Sequence, residues 1–413
     1  MEHRTFTLTE HQTTPAVALS PAEAGWLQRH APNLEVRPAW DAPGRYDLTP
    51  GSHVGTIALP NLSVLIRPKI AAERVLFLIS YSLDSVRWQE QSMPMAVQPD
   101  LAEGMAALFG MALRRALAQG VQQGYRSKQE ALTAVRGRIR FDEQLRRRYL
   151  RPHPLEVEYD DFTLDTDLNR LLYAALRRLR RLPLRSNVVR TLLAGCHAAF
   201  RDGVTAVEYE PGRLPEIHWS RLNQHYWPAA ELAAKILSSS SVELEHGGLH
   251  GTAFTIDMNV VFEQFVRIAL RHELGLSTLA WPLRPRRDAM DQERAIAIEP
   301  DLSWIEDGQV VFVGDAKYKR VRSGGPPNAD IYQLHAYVTS LALSCGLLIY
   351  AEGEERETSH TVRHTGTNLI VRTLDVDGPP AEVLANVRDL AELVKNLRGR
   401  TEANGALIFS ATG

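Results

Sequence analysis

Residues 296–320 read "IAIEPDLSWIEDGQVVFVGDAKYKR", two apolar strand-like runs joined by Glu306, Asp307, Gly308 and Gln309. An Asp-Gly pair between such runs is a strong local signal for a tight hairpin. The hairpin looks destined for a core. Yet it carries Asp301 in one strand, and Asp315 and Lys317 at the end of the other. Residues two apart in an extended chain share a face, so Asp315 and Lys317 point the same way. Pairing across the turn would set Asp301 beside Asp315. Two carboxylates on adjacent strands are oxygen ligands for a hard cation such as Mg²⁺. The cation would offset a repulsion that otherwise raises one carboxylate's pKa. A lysine beside them can orient a water or stabilise charge on a phosphate. The set suits metal-assisted phosphodiester hydrolysis.

The pattern is P-D…D-x-K, here Pro300, Asp301, Asp315, Ala316 and Lys317. Taken as bare spacing it also fits a turn acid after a proline and a surface carboxylate paired with Lys317 or Lys319. Its surroundings add weight. Upstream, "VFEQF" offers Glu263, which equally suits an i, i+4 pair with Arg267. Downstream, "QLHAY" places Gln333 and Tyr337 on one helical face, a spacing that an ordinary amphipathic helix also produces. Lysine is scarce, with six lysines among 47 basic residues, and two of the six fall in this stretch.

The chain divides by composition. Residues 1–95 are predicted β-rich, with strands in "RTFTLTEH", "LEVRPAW", "VGTIALP" and "LSVLIRPKI". Between the first two, "LSPAEAGWLQRH" is a short helix with a capping box from Ser20 to Glu23. Residues 96–245 are predicted mostly helical and arginine-rich, and "DTDLNRLLYAALRRLRRLP" opens on a capping Asp. Ser238–Ser241 and "EHGGLHG" read as a linker. Residues 246–413 then give helix, hairpin, helix, strand, strand, helix, with Asp257 capping the first helix. Ile331, Leu334, Val338 and Leu341 would form the apolar face of the second. The expected class is α/β in the broad, multi-domain α+β sense, with a mixed central sheet in the last part.

Five blocks together resemble the McrC family, the nuclease subunits of McrBC modification-dependent restriction systems. They are "HVGTIALPNLSVLIRPKI", "GYRSKQEALTAVRGRIRFDEQL", "EYDDFTLDTDLNRLLYAAL", "DMNVVFEQFV" and "EPDLSW…GDAKYK", in that order. The resemblance implies a C-terminal PD-(D/E)xK domain like those of restriction endonucleases. Asp301 and Asp315 would hold Mg²⁺, with Mn²⁺ able to substitute, helped by the Ala316 carbonyl. Lys317 would be catalytic. Glu263 would join them from the upstream helix, and Gln333 and Tyr337 match the Q-x-x-x-Y helix of RecB-like relatives. The N-terminal half would dock into a McrB-like AAA+ GTPase ring and stimulate its GTP hydrolysis. Double-stranded DNA carrying modified cytosine would be cut, with recognition of methylcytosine on the partner. The chain carries extra length before "HVGTIALP" compared with compact members of the family.

The remaining features bound this reading. No G-x-x-x-x-G-K-[ST] loop occurs, so NTP dependence would come from the partner. Residues 114–151 hold eleven basic and three acidic residues in a chain of net charge -2, and Arg136, Arg138, Arg140, Arg146, Arg147 and Arg148 are a candidate patch for DNA or partner. A solvated, ion-paired face fits that run equally well. Two distant cysteines, Cys196 and Cys345, and a polar opening "MEHRTFTLTEHQ" suit the cytoplasm. The run "AYVTSLALSCGLLIYA" is broken by polar residues and Gly, so a buried helix and strand are expected rather than a membrane span. Two other functions share much of this evidence: a non-catalytic activator of a GTPase ring, and a stand-alone RecB-like nuclease.

Overall fold

The computed structural model describes residues 3–83, 101–149, 151, 153–210, 212–246, 249–321, 325–353 and 357–410. In chain order the first elements are β1 (Arg4–Thr9), β2 (Thr14–Val17), α1 (Pro21–His30), β3 (Leu34–Pro38), β4 (Tyr46–Pro50), β5 (His53–Leu59), β6 (Leu62–Arg67) and α2 (Ala72–Leu83). Then come α3 (Leu101–Leu117), β7 (Gly124–Leu132), β8 (Arg138–Ile139), α4 (Phe141–Arg148), β9 (Leu155–Thr163), α5 (Asp167–Arg180), α6 (Asn187–Arg201) and α7 (Trp227–Ser238). The rest are β10 (Ser240–His246), β11 (Leu249–Asp257), α8 (Met258–Leu274), β12 (Asp288–Ala289), β13 (Ala297–Ile298), β14 (Leu302–Glu306), β15 (Gln309–Val321), α9 (Asn328–Ser340), β16 (Cys345–Gly353), β17 (Glu357–Thr361), β18 (Asn368–Thr373) and α10 (Pro380–Ser410). The class is mixed α/β with several sheets.

Packing divides the chain into two interleaved units. One comprises Met1–Arg4, Thr56–Ser63 and Ala102–Thr255, and the other Thr5–Gly55, Val64–Leu101 and Ile256–Gly413. The composition boundaries near 95 and 245 follow chain order; these units follow contacts. One five-stranded sheet has the order β1-β6-β5-β11-β10.

In the first unit the "RGRI" and "DDFTLDTDLNR" blocks are structural. Gly137 adopts φ +70°, and a Cβ there would lie 2.3 Å from the Glu158 carbonyl oxygen and 2.5 Å from the Tyr159 Cβ. Only glycine lets the chain cross β9 so closely. Asp165 takes Arg170 Nε at 2.7 Å, Arg126 at 3.0 Å and the Thr205 amide at 2.8 Å. Fully buried Asn169 donates to the carbonyls of Gln122 at 2.7 Å and Leu164 at 2.6 Å. Gly137→Ala is expected to destabilise this unit by about 3 kcal/mol or more, from strained φ plus collision with fixed backbone. Chemical denaturation measures it. A loss below about 1 kcal/mol, the scale of an ordinary substitution, would show that the crossing relaxes easily.

Three expectations for residues 96–250 change. The predicted mostly helical stretch contains the three-stranded sheet β7-β9-β8. Its strands are rich in charge and β7 has no buried residue, so they lack the apolar alternation that marks a half-buried strand. The cap of α5 is Thr166, whose hydroxyl accepts from the Asn169 amide at 3.3 Å, while Asp165 is taken up by arginines. The expected linker is a hairpin, with β10 antiparallel to β11; its Gly247 and Gly248 lie outside the described residues.

In the second unit a sheet of order β14-β15-β16-β18-β17 carries the hairpin. Its β15-β16-β18 core is parallel and both edges are antiparallel. The edge strand β17 was not expected: "ETSHT" is polar and mostly exposed. On one face Leu334 and Val338 of α9, with Ile331 and Leu341 at the margin, pack on Val313, Leu348, Leu369 and Val371. On the other face α8 and α10 cover β15, with Phe262 of α8 against Tyr318. Asp257 caps α8 through its carboxylate and the Asn259 amide, and Gly275 in the left-handed region ends the helix. The Ser20–Glu23 capping box forms on α1. Among the described residues no helix is long and apolar enough to cross a membrane.

Candidate active site

A tight turn and a bulge together set the register. Asp307 and Gly308 take φ of 48° and 80°, the paired positive values of a tight hairpin whose twist matches its strands. Next to it Glu306 pairs with Gln309 and Ile305 with Val310; a bulge between Trp304 and Ile305 then shifts the pairing by one, so that Leu302 faces Gly314 and Asp301, one residue earlier, comes level with Asp315. The Ala316 amide donates to Asp301 Oδ2 at 3.1 Å, which fixes the Asp301 carboxylate against β15. On the other side β15 runs parallel to β16, with Asp315 beside Leu348 and Lys317 beside Tyr350. Asp315 is only 1% exposed. The Lys317 ammonium lies 2.6 Å from its Oδ2.

The electrostatics follow from burial. Burial, then the Asp301 charge, pushes the Asp315 carboxyl up to about 7 against the pull of Lys317. Glu263 on α8 is also pushed up to about 7, by burial and then by Asp301. Burial alone would lower Lys317; the Asp315 carboxylate outweighs it and holds the ammonium above its ordinary range. Among the described residues no three His, Cys, Asp or Glu side chains gather at metal-ligand spacing. Glu263 lies close enough to Asp301 to feel its charge, and the ligand set expected from the sequence is Asp301, Asp315 and the Ala316 carbonyl. A buried carboxylate beside a half-buried one fits a hard divalent cation that keeps several waters.

These groups give the metal-free chain a pH dependence. Raised carboxyl pKa values mean that the folded chain keeps protons that the unfolded chain has released, so stability falls as pH rises from about 4 toward 7 and stays low above. The expected result is a melting temperature in EDTA that is lower at pH 8 than at pH 5.5, with Mg²⁺ narrowing the gap. A flat profile in EDTA would show that the carboxyls are not buried together.

Several side chains support the site. Arg267 on α8, almost fully buried, donates from Nε to the Asp301 carbonyl at 2.7 Å and lies 3.9 Å from its Oδ1. Its own carbonyl accepts from the indole of buried Trp281 at 2.9 Å. The i, i+4 spacing that suggested a simple pair with Glu263 concealed this role. Gln333 donates to the Tyr337 hydroxyl at 2.8 Å, and that hydroxyl donates to the Glu299 carbonyl at 3.4 Å. The two thus brace the segment before Asp301. Lys319 pairs with Asp330 at 3.1 Å, not with Asp315, and Tyr350 donates to the same carboxylate at 2.7 Å. Asp330 stood in the sequence only as an acid in a helix's first turn.

The arginine run lies in the other unit and is largely paired. Arg136 meets Asp161 at 2.9 Å and stacks 3.9 Å over the Tyr159 ring. Arg146 and Arg147 both meet Glu143 at 2.8 Å, Arg140 reaches it at 4.0 Å, and Arg148 meets Glu156 at 3.0 Å. Arg138 stands opposite Glu158 in the β8–β9 register.

Residues 48–351 match the family model of the McrBC 5-methylcytosine restriction system component. Among solved structures, the chain matches one from the refined half-complex of the tetradecameric assembly of Thermococcus gammatolerans McrB AAA+ hexamers with bound McrC. The TM-score is 0.57 at 18% identity, over 94% of this chain and 99% of that one. A chain of the cryo-EM structure of the Thermococcus gammatolerans McrBC complex matches at 20% identity over 66% of this chain and 88% of that one, with a TM-score of 0.42. No curated protein matches the sequence.

Proposed function

The chain belongs to the McrBC 5-methylcytosine restriction system component family, and on that premise we propose that it is the Mg²⁺-dependent DNA endonuclease subunit of such a system. The observation that carries the reading is buried Asp315 beside half-buried Asp301, with Lys317 at 2.6 Å from Asp315. A bare structural role does not account for it, because two carboxylates facing one another inside a fold cost stability unless a cation joins them. Asp301, Asp315 and the Ala316 carbonyl would hold Mg²⁺, which when bound supplies Lewis-acid polarisation of a phosphate and an activated water. Arg267 and the Ala316 amide keep Asp301 turned toward Asp315. Lys317 keeps its proton and offers charge to a phosphate oxygen or orients the attacking water.

The matched half-complex, with McrC on McrB AAA+ hexamers, supports an AAA+ ring as partner. We take that partner to be a GTPase whose hydrolysis this chain stimulates and which reads the modified cytosine. The direct test is a cleavage assay on cytosine-methylated plasmid with this chain, the AAA+ protein, GTP and Mg²⁺. Cleavage is expected only with all of them and only on methylated DNA. GTP turnover without cutting would replace this reading with that of a non-catalytic activator. Efficient cutting by the chain alone would favour a stand-alone nuclease.

A further inference from the structure

Lys317 sits where its strand loses support. On the β14 side the ladder ends at Leu302 opposite Gly314. On the β16 side the register runs evenly from Gly314 to Lys317 and then shifts before Arg320. The residue directly after Lys317 is Tyr318, which alternation turns to the opposite face of the sheet. It is 5% exposed, and its ring packs against Phe262 at 6.1 Å between centroids.

The Tyr318 hydroxyl donates to Glu10 Oε1 at 2.9 Å. Glu10 follows β1 directly and is fully buried. The same Oε1 accepts the Lys69 amide at 2.6 Å, in the Pro68-Lys69-Ile70 loop after β6. The Glu10 amide in turn donates to the Arg67 carbonyl at 3.0 Å. Its position is therefore set from both sides before Tyr318 is considered. The "RPKI" block, which the catalytic set leaves unused, presents the amide that holds Glu10.

A carboxyl in this place is expensive. Its Oε2 is buried with no hydrogen-bond partner among the described residues, and an apolar side chain would stabilise a core position better. Packing alone does not explain it. We propose that Glu10 is a positioning residue for Lys317: through the Tyr318 hydroxyl it holds β15 in place where the ladder lapses, and through the Lys69 amide it ties that point to the P-K-I loop. The proposal rests on the nuclease reading for its effect on cleavage, but not for its effect on the strand.

The test uses the full chain, free and with its AAA+ partner, in wild type, Glu10→Met, Glu10→Gln and Tyr318→Phe. Glu10→Met and Tyr318→Phe are expected to lower the cleavage rate constant by about tenfold to a hundredfold, as misplacement of a catalytic group does. The DNA concentration at half-saturation stays unchanged. Glu10→Gln, which keeps the acceptor oxygen, stays near wild type. In the free chain, hydrogen exchange at the amides of 316–319 accelerates in Glu10→Met and Tyr318→Phe only. Wild-type cleavage and exchange in Tyr318→Phe would overturn the proposal. So would an equal loss in Glu10→Gln that tracks melting temperature. If the wild type itself cuts nothing, the nuclease reading has failed, and the exchange pattern alone decides whether Glu10 holds the strand.

Discussion

Replacing Asp315 with alanine is expected to lower DNA cleavage at least about a thousandfold, the scale of losing one member of a catalytic unit, while GTP turnover in the partner ring is still stimulated. The argument is one of ligand count. With Asp315 gone, one carboxylate and one carbonyl remain, too few to hold a strongly hydrated divalent cation. The fold should not suffer. Asp315 is buried and its carboxyl is pushed up to about 7, so in EDTA at pH 8 the wild type carries an ion that the variant is spared. The alanine variant is therefore expected to melt no lower than wild type in EDTA, and to lose the stabilisation that Mg²⁺ gives. Cleavage within tenfold of wild type would remove Asp315 from the site. Lost GTPase stimulation would mean that the substitution had reached beyond it.

Arg267→Met is expected to destabilise the metal-free chain by about 3–5 kcal/mol, the usual result of removing one partner from a buried ionic set. The side chain is 5% exposed, so water cannot replace it. Its loss leaves the Asp301 carbonyl without its 2.7 Å donor and the Asp301 and Glu263 carboxyls with Lys317 as the remaining nearby cation. Methionine keeps most of the volume, which separates charge from packing. Denaturant unfolding in EDTA and in Mg²⁺ measures the effect. The loss should shrink in Mg²⁺, because a bound cation would supply what the guanidinium did. An equal loss in both conditions would mean that Arg267 acts through packing on Trp281 and not through the carboxylates.

What the sequence disclosed was whatever local physics settles. The hairpin was legible because Asp-Gly between two apolar runs marks a tight turn; the bulge between Trp304 and Ile305, which brings Asp301 level with Asp315, was not. Helix α9 was legible because its apolar face recurs at helical spacing and packs as that spacing requires. The caps at Ser20 and Asp257 were legible because each depends on three or four adjacent residues. What stayed hidden depends on distant partners. Strands β7 and β9 are polar because each finds its counter-charges on the other strand, as in the Lys128–Asp161 pair at 2.6 Å. Arg267 looked like a partner for its own helix because Asp301, 34 residues on, is adjacent only after folding. Asp330, Lys319 and Tyr350 come together from a helix and two strands, and no periodicity announces that.

The paired arginines of residues 136–148 carry a consequence for how the chain would meet a polyanion. A lysine or arginine surrounded by mobile ions releases them when a phosphate arrives, and that release drives much of nucleic-acid affinity. Arg136, Arg146, Arg147 and Arg148 already hold carboxylates of the same unit within 3.0 Å. A phosphate arriving there would exchange one anion for another, and little would be set free. The positive run in the sequence is thus, in the folded chain, partly matched by its own carboxylates, and a phosphate arriving there would displace fewer mobile ions than the count of arginines implies.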